Sequence, residues 1–156
     1  MKKFLIFLIF IIIIFLVQGV ESILINPMTD SWYQSLTLPC WMPPSEVFAP
    51  VWIILYILIA ISGALLWTHK RSKYGKKAFI SWVIALVLNF LWPICFFYFH
   101  QILLSAIEIT VLIGFIFSTI ILALSSPSKL AGWILIPYLL WVIYAAVINW
   151  SLVFLN

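Results

Sequence analysis

Five apolar stretches joined by mostly short polar connections leave this chain little choice of solvent. They run over about 4–20, 47–67, 78–99, 102–124 and 131–154, each close to the ~20 residues that carry a helix across a bilayer core. Of the 156 residues, 67% are apolar and 8% charged. A water-soluble domain of that length has too much surface for its volume to hide so much apolar area. The expected fold is all-α, a single domain over 1–156 built as a bundle of five transmembrane helices, with a lid loop at 21–46. The first stretch has a rival reading, because Lys2-Lys3, an apolar run and Val17-Gln18-Gly19 also suit a cleaved signal peptide. No A-x-A pattern closes that run, which favours a retained helix.

Charge supplies orientation. Threading five spans with the N-terminus inside puts Lys2, Lys3, Lys70, Arg71, Lys73, Lys76, Lys77 and Lys129, every Lys and Arg of the chain, on one side, and Glu21, Asp30 and Glu46 on the other. Such a bias sets topology: N-terminus cytosolic, C-terminus outside, with a prokaryotic plasma membrane expected because no Arg-rich presequence is present. The net charge of +4 is then a topology signal and not a nucleic-acid footprint. Trp67, Trp82 and Trp133 flank the cytosolic connections and read as an interfacial belt. Cys40, Cys95, His69 and His100 have no metal-ligand spacing, and no disulfide is expected of the cysteines.

The outer connection ends in a segment holding Trp32, Tyr33, Pro39, Trp41, Pro43 and Pro44. Prolines fix their own φ and push the preceding residue toward extended backbone, so a stiff, extended lid is expected; simple interfacial anchoring is the plainer alternative. Beneath it, at ~1.5 Å per residue, Trp52 lies roughly 8 Å below the outer end of its span, Trp92 roughly 10 Å, Asn89 about a turn deeper and Glu108 roughly 9 Å. Trp52 and Tyr56 share a face at i, i+4, Asn89, Trp92 and Phe96 at i, i+3 and i+7, and Tyr138 and Trp141 at i, i+3. Aromatic stripes alone are usually core packing. An intramembrane carboxylate such as Glu108 faces a bundle interior or a cavity and marks function by default, although a protonated Glu108 bonded to a neighbouring helix is the structural alternative. Pro93 and Pro137 interrupt two spans and are expected to kink them, and Gly114 with Ser118 makes a small-xxx-small pair suited to close helix contact.

The run Trp32-Tyr33, Leu36, Pro39, Trp41, Pro43-Pro44, Phe48, Pro50-Val51-Trp52 and Leu55-Tyr56 resembles the signature of the TspO/MBR family, the tryptophan-rich sensory and translocator proteins that include the peripheral benzodiazepine receptor. Leu88-Asn89, Trp92-Pro93 and Phe96-Phe97 fit its third helix, and Pro137-Tyr138-Leu139-Leu140-Trp141 with Asn149 its fifth. The resemblance implies a five-helix protein, commonly a homodimer, that binds porphyrins and other flat aromatic molecules beneath the first long loop, with the tetrapyrrole a ligand and no required cofactor. It implies that Trp52, Asn89 and Trp141 line the pocket, and it ties Trp52 and Trp141 to photodegradation of porphyrin. Glu108 stands where the family has a carboxylate. The sterol motif of animal relatives is not matched, since 149–154 has no basic residue, so sterol binding is not carried over. Three readings stay open: a tetrapyrrole-binding receptor or transporter, a light-dependent porphyrin-degrading enzyme, and a structural or regulatory membrane partner with no small-molecule role.

Overall fold

A side-chain cap fixes the start of one of the membrane-length helices. The computed structural model describes residues 2–24 and 31–156, with side chains over 4–19 and 31–156; Lys2, Lys3, Glu21 and Asp30, used above for orientation, lie outside the described side chains. The elements are α1 (Lys2–Leu24), α2 (Ser31–Ser35), α3 (Ser45–Thr68), α4 (Lys73–Pro93), a π-helical turn (Ile94–Tyr98), α5 (Ile102–Leu124), α6 (Lys129–Ile134) and α7 (Ile136–Leu155). Four helical stretches are long and apolar enough to cross a membrane, Ser45–Thr68, Lys73–Tyr98, Ile102–Leu124 and Lys129–Leu155, and α1 adds a shorter apolar stretch at Phe4–Gly19. The 102–124 span has the expected bounds. The third starts five residues before the expected 78, because the Ser72 side chain accepts the Gly75 N–H at 3.1 Å and caps α4 there. Its first-turn lysines can keep their charged heads in water while their stems lie along the helix. A β-carbon at Gly75 would overlap the His69 carbonyl, so this tight turn requires glycine.

Both prolines act on the backbone, each differently. Pro93 has no N–H to give, and the chain after it widens into the π turn, where Phe99 N–H reaches back to the Ile94 carbonyl at 3.0 Å. Pro137 falls in the first turn of α7, the position that tolerates it best. The fifth span is therefore two helices that break at Leu135, whose N–H bonds Gly132 O at 3.1 Å.

The helices pack with α4 along α5, α5 also against α6 and α7, α1 against α3, and α3 against α6. Hydroxyls tie neighbours together inside the apolar bundle: Ser62 donates to Ala131 O and Ser81 to Phe115 O, both at 3.0 Å. Where α1, α3 and α4 meet, Gly63 lets the Trp82 ring lie against the α3 backbone. Trp82 is buried, stacks on Phe79 at 5.9 Å and donates to Ile59 O at 3.2 Å. This corrects the belt assignment for Trp82, whose ring points into the bundle; Trp67 and Trp133 are exposed. Gly114 has open space around it, so the Gly114/Ser118 pair makes no close helix contact there within the chain.

Candidate ligand-binding site

The lid is helical at its start and extended only later. Ser31–Ser35 forms α2, with Ser35 Oγ on Trp32 O at 2.7 Å, which corrects the expectation of a wholly extended segment. The physical reason is position: the first proline of the segment is Pro39, so the backbone restriction on pre-proline residues begins at Leu38 and does not reach Trp32 or Tyr33. A turn then closes over 39–42, with Met42 N–H on Pro39 O at 3.0 Å. The lid lies on the π turn that follows α4 and on α7. Trp32 stacks on His100 at 4.2 Å and meets Phe96 edge-on at 5.4 Å. Tyr33 meets Phe97 at 5.4 Å, and burial pushes its phenol above the ordinary tyrosine range. Tyr144 donates to Trp41 O at 3.3 Å, and Asn156 both accepts from Thr37 N–H at 2.8 Å and donates to Thr37 O at 3.3 Å. Pro39 is buried, while Pro44 ends the lid as the residue that precedes α3. Pro43 lies beside it, half-buried.

Below the lid the expected residues fall into three groups. In the first, Tyr56 donates to Asn89 Oδ1 at 3.3 Å and Asn89 Nδ2 donates to the Tyr138 hydroxyl at 3.0 Å. One amide thus joins α3, α4 and α7. All three side chains are buried, where low dielectric strengthens the relay and makes it costly to break. Trp52 covers this group, with its ring 5.3 Å from Tyr56 and 6.5 Å from Tyr138.

In the second group Trp92 lies parallel to Phe96 at 5.5 Å and donates to Asn149 Oδ1 at 2.9 Å, while Asn149 Nδ2 reaches Ile102 O at 3.2 Å. Asn149, 1% exposed, is a residue that the reading of spans and stripes passed over. The signal that could have found it is its type: an amide inside an apolar run needs partners within the bundle.

The third group holds Trp141, 5.8 Å from both Phe48 and Tyr144. Its indole Nε1 is buried without a hydrogen-bond partner. Glu108 stands apart: both carboxyl oxygens are buried without a partner, and its near neighbour is Cys95 of the π turn. Among the described residues no hydrogen bond joins it to a neighbouring helix. The assembly offers flat aromatic faces, two intramembrane amides and an unpartnered indole N–H, which suits a planar apolar ligand with a few acceptor atoms.

The same chain matches known proteins over almost its full length. It is 34% identical to the tryptophan-rich protein TspO of Chlorobaculum tepidum, with 90% of each chain covered, and 32% identical to protein CrtK of Rhodobacter capsulatus, covering 88% of this chain and 85% of that one. The translocator protein of Ovis aries is 31% identical, over 78% of this chain and 72% of its own length. The family model described as TspO/MBR family matches residues 8–155. Together with its run of membrane-length apolar helices, this makes the chain an integral membrane protein that belongs to the TspO/MBR family.

Proposed function

We propose that the chain crosses a prokaryotic plasma membrane five times, with α1 retained and the N-terminus in the cytosol, and binds a tetrapyrrole among α3, α4 and α7 beneath the lid. The observation that carries the ligand reading is the Tyr56–Asn89–Tyr138 relay roofed by Trp52. It is a fixed polar anchor in an apolar site, with aromatic faces on hand for a macrocycle to stack on. The rings now touching each other, Trp92 on Phe96 and Phe48 on Trp141, would exchange those contacts for contacts with the ligand. Its acceptor atoms would meet the Trp141 N–H, which has no protein partner. Orientation is supported by Lys70, Arg71, Lys73, Lys76 and Lys77 around the α3–α4 connection and Lys129 at the start of α6, a position on the same side when the helices are threaded alternately.

The test is titration of the purified chain with protoporphyrin, read as quenching of tryptophan fluorescence. Saturable quenching is expected, weakened tenfold or more by Trp52→Ala combined with Trp141→Ala. An affinity left unchanged by that pair would remove the site.

A further inference from the structure

One void of this molecule lies beside Trp141, on a wall that Tyr144 links to the lid. It is a groove of about 430 Å³ between α3 and α7. Val51, Ile54 and Leu55 line it from α3, and Pro137, Leu140 and Trp141 from α7. Tyr144 completes the wall, but its hydroxyl is engaged on Trp41 O, and the Trp141 Nε1 is buried. The lining is therefore all but apolar.

Packing explains why the groove exists. On its cytosolic side α3 leans on α6, whereas α3 and α7 approach each other little, and the break at Leu135 separates those two regimes. Farther out, the seam is bridged by ring contacts, Phe48 to Trp141 at 5.8 Å and Trp52 to Tyr138 at 6.5 Å. These large rings hold the helices apart, and the aliphatic Val51 and Leu55 beside them are too small to fill the gap.

We propose that this groove seats an acyl chain of a bilayer lipid. It is continuous with the lipid-facing surface, since Ile53, Ile54 and Ile57 on α3 and Leu140, Ile143 and Val147 on α7 are all exposed. Trp141 is near the middle of the Lys129–Leu155 span, which puts the groove at chain-methylene depth, away from headgroups. Its volume is on the order of fourteen water-sized units at ~30 Å³ each, the scale of a run of methylenes. A hydrocarbon chain here restores the dispersion contacts that an unfilled groove forfeits.

The experiment reconstitutes the full chain in nanodiscs of phosphatidylcholine carrying a photoactivatable diazirine on one acyl chain, with adducts mapped by peptide mass spectrometry. Labelling at 51–55 and 137–144 should exceed that at the exposed lipid-facing residues Ile80, Val87 and Val111 several-fold. Ile54→Phe with Leu140→Phe should bring it down to their level with helix content and melting retained, while Leu140→Ala, which widens the groove, should keep it high. Even labelling of all exposed faces in the unaltered chain would overturn the proposal. So would clearance by equimolar protoporphyrin of the label at Ile54 and Leu140, lining residues that the proposed porphyrin site does not share, which would assign the groove to the aromatic ligand. Crosslinking of Ile54→Cys between two copies with loss of the lipid label would assign it to a second chain, and equally overturn it.

Discussion

The Asn89 amide stands between two phenols, accepting from Tyr56 at 3.3 Å and donating to Tyr138 at 3.0 Å, so one side chain of α4 holds α3 and α7. Replacing it with leucine, similar in volume but without polar atoms, removes both bonds inside a low-dielectric bundle. Asn89→Leu should cost about 1–3 kcal/mol, read as a fall of several degrees in the melting temperature of the purified protein. It should also weaken protoporphyrin binding by more than the loss of stability explains. A variant as stable as the parent would mean that the relay holds nothing together.

Gly63 and Gly114 make opposite predictions from the same substitution. A β-carbon at Gly63 would collide with the Trp82 ring and crowd Phe10, whereas one at Gly114 meets nothing within 4 Å. Gly63→Ala should therefore destabilise by about 1–3 kcal/mol, since the indole is fixed by its bond to Ile59 O and has little room to yield. Gly114→Ala should be neutral or stabilising by up to about 1 kcal/mol through helix propensity. Equal melting temperatures for the two variants would contradict the close approach of α3 and α4.

The lid should loosen at high pH, and Tyr33 gives the sign. Burial raises its phenol above the ordinary value of 10.0, so docking favours the protonated form. Its contribution is complete below pH ~10 and is lost as pH rises through the higher folded value. An environment-sensitive dye on the exposed Cys40, in a Cys95→Ala background, reports the lid. Its signal should change above pH ~10 in the parent and hold in Tyr33→Phe. Asn156→Ala, which removes both contacts to Thr37, should shift the same signal at neutral pH.

Much of this architecture could be read from residue order, and the exceptions have physical causes. Apolar run length located the membrane-length helices because a bilayer sets a length and a polarity that local propensity cannot override. Spacing found Trp52 with Tyr56 and Trp92 with Phe96, since i, i+4 neighbours touch on any helix. Which helices meet is a tertiary matter. For that reason Asn149 went unread as the partner of Trp92, and Trp82 was assigned to an interface when Gly63 on another helix makes room for its ring. The groove between α3 and α7 has no local sign at all, because it is space that side chains of two distant segments leave unfilled.

Glu108 separates structure from function most sharply. Its two carboxyl oxygens are buried with no hydrogen-bond partner, and an unmet polar group in such surroundings costs about 1–3 kcal/mol. If the carboxyl only weakens the bundle, Glu108→Leu should raise the melting temperature of the ligand-free protein, with Glu108→Gln between the two. Protoporphyrin titration of the same variants then reads the second role. A carboxyl kept for ligand binding predicts that the stabilised Glu108→Leu protein binds several-fold more weakly than the parent. Lower stability with unchanged binding would instead point to a protein or lipid partner for Glu108 in the membrane, and would take it out of the ligand site.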